Sequence, residues 1–160
     1  MLLEIISDAF FAAIAAIGFA AISSPTRRAF FFCAVIAAAG HSLRYVLMMP
    51  GMKLNIVVST FIAAFVMGIM AVKISNYAKM PPETCLFPAL LPMIPGIYAY
   101  KSFGGMAMSV LHSGDIEFSK YFYIFADNGL MCVFIILGMV VGATIPVFAF
   151  KKKTIEASDK

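Results

Sequence analysis

The hydrophobic residues of this chain gather in five long runs that short polar links separate. The runs cover about residues 5–23, 29–48, 54–76, 85–112 and 121–149. About 20 apolar residues in an α-helix span the roughly 30 Å of hydrocarbon in a bilayer, so each run is long enough to cross it. The pattern predicts an all-α integral membrane protein, with five transmembrane helices in residues 1–150 and a polar tail in residues 151–160.

The fourth run differs from the others because Pro88, Pro92, Pro95 and Gly96 fall within it. Proline cannot donate a backbone hydrogen bond, and a carbonyl left unpaired at membrane depth costs several kcal/mol unless protein or a water-filled cavity satisfies it. We therefore predict that the fourth helix is broken at this cluster. Broken helices bind anionic groups and coupling ions in transporters, although a kinked packing helix would also account for the prolines.

The basic residues predict an orientation. With the amino terminus outside, only two lysines fall in outer loops, and the inner side receives Arg27, Arg28, Lys73, Lys79 and Lys151–Lys153. Such an excess marks the cytoplasmic face, so we expect the amino terminus outside and the polar tail in the cytoplasm. The first run carries Glu4 and Asp8 where a signal peptide carries basic residues, and we expect it to be retained as a membrane helix.

Composition argues against several classes of function. The chain is 62% hydrophobic and only 12% charged, which is typical of membrane proteins, and its basic residues lie at the ends of the runs, so we predict no nucleic-acid partner. Cys33, Cys85 and Cys132 lack the spacing of a metal site and are interpreted as packing residues. Without a HExxH, a GxSxG or a glycine-rich phosphate loop, we expect no enzyme activity, no metal and no cofactor.

Ionisable side chains within the runs are the candidate functional residues, because they are costly in a membrane. His41 and Arg44 share one face of the second helix, and Asp127 lies about two turns into the fifth. Arg44 and Asp127 are expected at similar depth and could pair, either as a structural ion pair or as part of a site. With Lys101 they would line a polar vestibule in the outer half of the membrane, above the proline cluster.

Other polar and small residues have simpler interpretations. Glu4 and Asp8 are close enough to the end of the first helix to reach water, and we interpret them as solvated. Tyr100 either lines a cavity or covers the end of a broken helix. Gly138 and Gly142 form a GxxxG motif, which indicates close helix association within the chain or with a partner.

Two motifs resemble a known family. The first is GHxxR and the second PxxPGxxAY, formed by Gly40, His41, Arg44 and by Pro92, Pro95, Gly96, Ala99, Tyr100. Their order and separation, within the stretches 18–52 and 87–106, resemble the short membrane subunit of the threonine/serine exporter family. The resemblance implies export of threonine and serine, or of succinate as in some two-chain members, and a longer companion subunit as partner.

Our hypothesis is a subunit of a heteromeric secondary exporter for small carboxylate-bearing metabolites, multi-pass in the inner (cytoplasmic) membrane. The candidate substrate-binding residues are Arg44, Pro92, Pro95, Gly96, Tyr100 and Lys101, and the candidate ion-coupling residues are His41 and Asp127. The alternatives are a non-conducting assembly or scaffold subunit and, third, an intramembrane enzyme. Whether the chain also forms a homo-oligomer stays open.

Overall fold

A computed structural model describes residues 2–22 and 27–158, and these residues are almost entirely helical. The described helices are α1 (Leu2–Ile22), α2 (Arg27–Met48), α3 (Ile56–Ala78), α4 (Pro82–Leu90), α5 (Gly96–Leu111) and α6 (Phe118–Ser158), with a 3-10 turn at Leu91–Met93 that we call η1. No strand occurs in this part of the chain. The predicted all-α class is therefore confirmed.

Four of the described helices are long and apolar enough to cross a membrane: α1, α2, α3 and the Phe118–Phe150 part of α6. The chain is thus a membrane protein with several apolar helices. α4 and α5 contain 9 and 16 residues. Each is shorter than the roughly 20 residues that one helical crossing requires.

The last helix is longer than its apolar run. The pattern predicted a helix over about residues 121–149, whereas α6 has 41 residues and ends at Ser158. A helix does not have to end where hydrophobicity ends, because lysine, glutamate and alanine are all strong helix formers. Hydrophobicity marks the part of α6 that can enter the bilayer. The helix continues beyond that part because the following residues favour helix formation.

The chain divides into two compact units, the first formed by Met1–Met93 and Gly138–Lys160 and the second by Ile94–Leu137. The core of the first unit consists mainly of small residues and methionines from α1 to α4, η1 and α6. Its buried members are Ala16, Ala20, Ala29, Cys33, Ile36, Ala37, Ala63, Ala64, Met67, Ala71, Cys85, Leu86, Ala89, Met93, Met139, Ala143 and Val147. Small side chains let helix backbones approach closely, which is how membrane helices associate.

In the first unit, α3 packs closely against the part of α6 that begins at Gly138. A Cβ atom on Gly142 would lie 2.5 Å from the Phe61 carbonyl oxygen, and one on Gly138 would lie 3.4 Å from that of Val57. On α3, a Cβ on Gly68 would lie 2.7 Å from an α6 carbonyl. The GxxxG motif therefore mediates helix association within this chain.

Pro88 does not interrupt α4, although we predicted that it would help to break the fourth helix together with the next two prolines of the chain. It lies inside the helix and is buried. Its missing N–H leaves the carbonyl of Thr84, four residues earlier, without its helical donor. The Cys33 thiol of α2 lies 3.8 Å from that carbonyl oxygen and donates to it. A neighbouring helix thus satisfies the group that the proline leaves unpaired, and the helix continues to Leu90.

In the second unit, α5 packs against the first turns of α6. A Cβ atom on Gly105 would lie 2.7 Å from the Phe125 backbone nitrogen. The Ser102 hydroxyl donates to the Phe125 carbonyl oxygen at 3.0 Å. A glycine and a short hydroxyl side chain therefore bring these two helices into backbone contact.

Candidate functional site

The GHxxR motif lies in the second half of α2, and its glycine has a packing role. A Cβ atom on Gly40 would lie 2.1 Å from the Sδ of Met67, which is fully buried on α3. Glycine is therefore the residue that leaves room for this methionine. The contact fixes α2 against α3 next to the two ionisable members of the motif.

His41 is held by a carboxylate of α1. Its Nδ1 lies 3.3 Å from the Oδ2 of Asp8, and only 7% of the histidine is exposed. An ionised carboxylate can only accept hydrogen bonds, so Nδ1 is the nitrogen that carries a proton. The other ring nitrogen, Nε2, is buried and has no hydrogen-bond partner among the described residues.

The interpretation of Asp8 as a solvated residue is therefore wrong. About a third of its side chain is exposed, but the carboxylate faces the imidazole of His41. One turn earlier on α1, Glu4 accepts a hydrogen bond from the Tyr45 hydroxyl at 3.3 Å. The two acids are four residues apart, and so are their two partners on α2. This matched spacing on antiparallel neighbouring helices is the signal that sequence reasoning missed.

Arg44 binds the backbone just after α4. Its Nη1 donates to the Met93 carbonyl oxygen at 3.2 Å. In a continuous helix that carbonyl would accept from the amide four residues later, but a separate helix, α5, begins at Gly96, whose amide bonds to the Ile94 carbonyl at 2.8 Å. Arg44 therefore satisfies a carbonyl at the end of η1. Among the described residues of the first unit, no carboxylate lies within 4.0 Å of its guanidinium.

Two adjoining depressions, both largely open to the surface and called cavities below, lie along α1. One of about 240 Å³ is lined by Asp8, Phe11, Ala12, Ala15, His41 and Pro92. The other, of about 450 Å³, is lined by Leu3, Glu4, Ser7, Asp8 and Phe11. Asp8 and Phe11 belong to both walls, so the cavities are neighbours. The Asp8–His41 pair therefore borders open space as well as the helix packing.

The first unit brings three of the predicted site residues together, namely His41, Arg44 and Pro92. The others belong to the second unit. There, Pro95 is buried, and the exposed residues are Gly96, Tyr100, Lys101 and Asp127. Pro95 precedes the first turn of α5 and provides no side-chain cap for it. The pairing of Arg44 with Asp127 stays a prediction.

The arrangement in the first unit is suited to binding charge. Within residues 2–22 and 27–158, no cluster of three His, Cys, Asp or Glu side chains could hold a metal ion. A carboxylate and an imidazole in contact can share or take up a proton. A guanidinium bonded only to a neutral carbonyl can bind an anion. The site thus combines a group for protons with a group for anions.

Comparison with known proteins agrees with the two motifs. The family described as "Threonine/Serine exporter, ThrE" matches residues 8–149. An uncharacterized protein of Haemophilus influenzae is 33% identical over 154 residues, which are 95% of this chain and 50% of that protein. The chain thus spans half the length of this relative. No solved structure shows significant similarity. This chain belongs to the threonine/serine exporter family.

Proposed function

We propose that this chain is the short membrane subunit of a secondary exporter for small carboxylate-bearing metabolites, and that a longer companion chain completes the exporter. The substrate classes are threonine or serine and succinate-type dicarboxylates. Family membership supports transport. The companion chain is proposed from the resemblance of the GHxxR and PxxPGxxAY motifs to the short subunit of two-chain members. We place the complex in the inner membrane.

The proposed topology has five crossings, with the amino terminus outside. α1, α2, α3 and α6 supply four of them. The fourth in sequence is formed by α4, η1 and α5 acting as one interrupted crossing, because neither helix alone is long enough. The excess of lysine and arginine in the loops assigned to the inside supports this orientation.

The bond between Arg44 and the Met93 carbonyl carries the proposal. Arg44 lies in an apolar helix, where an unpaired cation is costly, yet its partner in the first unit is a neutral carbonyl. A carboxylate can accept two parallel hydrogen bonds from one guanidinium and carries the opposite charge, whereas a backbone carbonyl is neutral. A substrate carboxylate would therefore compete well for the guanidinium and would neutralise its charge.

The remaining candidates belong to the same proposal. Pro92 borders the cavity beside His41 and would contribute backbone to the substrate site. Pro95 and Gly96 would offer the amino-terminal amides of α5, the positive end of its dipole, to a carboxylate. Tyr100 and Lys101 are proposed from the sequence pattern for substrate binding. His41 or Asp127 would bind the coupling ion, and for an amino-acid substrate Asp127 would instead meet the ammonium group.

A non-conducting assembly subunit is the second candidate function, and one observation favours it. Asp8 pairs with His41 and Arg44 with the Met93 carbonyl, so these polar groups satisfy one another. The cavities beside Asp8 weigh against it, because a purely structural ion pair does not need open space on one side. Transport measurements separate the two candidates directly.

The test is efflux of labelled serine, threonine and succinate from cells that contain the chain and its companion but lack other exporters. Arg44→Ala should reduce efflux at least tenfold without lowering the amount of complex in the membrane. Arg28→Ala is the matched control, since it removes an exposed arginine from the first turn of the same helix and leaves Arg27 to mark the cytoplasmic end. Its efflux should stay within twofold of the unmodified chain.

Two results would contradict the proposal. Efflux of none of the three substrates by the unmodified complex would favour the assembly subunit. Normal efflux by a well-inserted Arg44→Ala complex would remove Arg44 from substrate binding.

A further inference from the structure

The polar groups that line the two cavities along α1 are all suited to a cation or a proton. They are the Glu4 and Asp8 carboxylates, the Ser7 hydroxyl and the His41 imidazole. No lysine or arginine lines either cavity. Ser7 and Asp8 lie three and four residues after Glu4, so all three are on one side of α1. Asp8, the last of them, is level with His41 of α2. This is a stripe of proton acceptors that ends at a buried histidine.

His41 provides an independent reason to expect a proton here. It is more than nine-tenths buried, and its Nε2 has no partner among the residues that the structure describes. A buried polar atom without a hydrogen bond destabilises the folded protein, so a histidine kept in this state calls for an explanation. The cavity that His41 lines together with Asp8 offers one.

We propose that Asp8 and His41 form the binding site for the proton that couples transport to an ion gradient, and that the cavity beside Glu4 and Ser7 is its access route. The inference rests on the proposed exporter function and assigns Asp8 a role in it. In the unprotonated pair, neutral His41 donates its Nδ1–H to Asp8. A proton arriving through the cavity adds to the lone pair of Nε2, and the imidazolium is compensated by the carboxylate 3.3 Å from Nδ1. Release of that proton on the other side of the membrane restores the starting state.

The ionisable groups around the pair are few. α1 adds Glu4, and α2 adds Arg44 and Tyr45, whose hydroxyl is bonded to Glu4. η1 has no ionisable side chain, and the cysteine of α4 lies against Cys33, eight residues or about 12 Å along α2 from His41. Arg44 acts electrostatically on both Asp8 and His41. Binding of a carboxylate at Arg44 and of a proton at His41 are therefore energetically linked.

The experiment uses the chain with its companion, purified together and reconstituted in vesicles. Two rates are measured for each complex. One is the exchange of labelled substrate for unlabelled substrate without a pH gradient, and the other is proton movement during net transport, followed with a trapped pH-sensitive dye. Exchange requires substrate binding but no net proton transfer, so the two rates separate coupling from binding.

Asp8→Asn should keep substrate exchange within twofold of the unmodified complex and reduce proton movement and gradient-driven transport at least tenfold. Asn retains the size of the side chain and a hydrogen bond to His41, so folding should be preserved. His41→Gln should behave in the same way, and it replaces the first variant if that one is not monodisperse. Asp115→Asn, in the exposed link before α6, is the matched control and should change neither rate.

The outcomes distinguish this inference from the proposed function. If the Asp8→Asn complex moves protons at the unmodified rate, the inference is wrong, and the proposed exporter function is unaffected. Loss of serine exchange with normal succinate exchange also overturns it, because Asp8 would then bind a substrate ammonium. Equal loss of exchange and proton movement assigns Asp8 to substrate binding or structure and equally overturns it. An unmodified complex that exchanges no substrate contradicts the exporter itself.

Discussion

Two regions of the first unit are built in opposite ways. In the α3–α6 seam, defined by Gly68, Gly138 and Gly142, the helices pack closely, and a Cβ atom on Gly68 or Gly142 would lie 2.7 or 2.5 Å from a carbonyl oxygen of the other helix. In the polar corner, defined by Asp8, His41, Arg44 and the Met93 carbonyl, the links are side-chain hydrogen bonds of 3.2–3.3 Å beside two cavities. The contrast is between a close contact of two helices and a polar contact with open space beside it.

The largest expected effect on stability comes from filling the seam. Gly142→Leu places a side chain where even a Cβ atom would be 2.5 Å from the Phe61 carbonyl oxygen, so the helices must separate. We expect the free energy of unfolding to fall by about 3 kcal/mol, the upper part of the range for overpacked sites. Thermal unfolding of the purified protein in detergent measures the change.

Gly18→Leu is the matched control, since no atom lies within 4 Å of a Cβ at that position in α1. Its unfolding temperature should stay close to that of the unmodified protein. If the two variants are equally stable, the seam is not a tight contact and the contrast between the regions disappears.

A smaller effect is expected at the contact that supports the corner from α3. Gly40→Ala brings a Cβ to within 2.1 Å of the Met67 Sδ, but the end of a methionine side chain can move aside. We expect a loss of about 1–2 kcal/mol. Combined with Met67→Ala, the loss should be less than the sum of the two single losses by at least about 0.5 kcal/mol, since the residues are in contact. If the two losses in the free energy of unfolding are strictly additive, Gly40 is not required to make room for Met67.

The smallest effect is expected at the outer hydrogen bond of the corner. Tyr45→Phe removes the hydroxyl that donates to Glu4 in a largely exposed position. One such bond contributes about 0.5–1.5 kcal/mol, and exposure places this one at the low end. Stability should change by about 0.5 kcal/mol and substrate exchange by less than twofold. A tenfold loss of exchange would mean that the Tyr45–Glu4 link belongs to the substrate site itself.

The positions of most helices were predictable because a membrane helix requires a long run of apolar residues, which is visible in the sequence. The run at 29–48 corresponds to α2 at Arg27–Met48, within two residues at each end. Hydropathy did not show where α6 ends, because helix formation continues in water when the residues favour it. It also did not show that α4 tolerates Pro88, because that depends on a hydrogen bond that the Cys33 thiol of α2 donates to the Thr84 carbonyl oxygen.

The site was predictable in its residue types and only partly in its contacts. His41 and Arg44 were identified because ionisable residues are costly in a membrane. The partners in the first unit were not predicted. The Met93 carbonyl becomes available to Arg44 only once the ends of α4 and α5 are known, and Asp8 meets His41 only once the register of α1 on α2 is set. Side-chain identity is local information, whereas a free carbonyl and a helix register are properties of the assembled unit.

Equilibrium binding of labelled serine and succinate to the purified complex at one fixed pH tests the central claim most directly, because binding does not depend on a gradient across a membrane. The account predicts saturable binding of at least one of the two ligands, weakened at least tenfold by Arg44→Ala and unchanged by Arg28→Ala. Binding of the same affinity in the Arg44→Ala complex would contradict it.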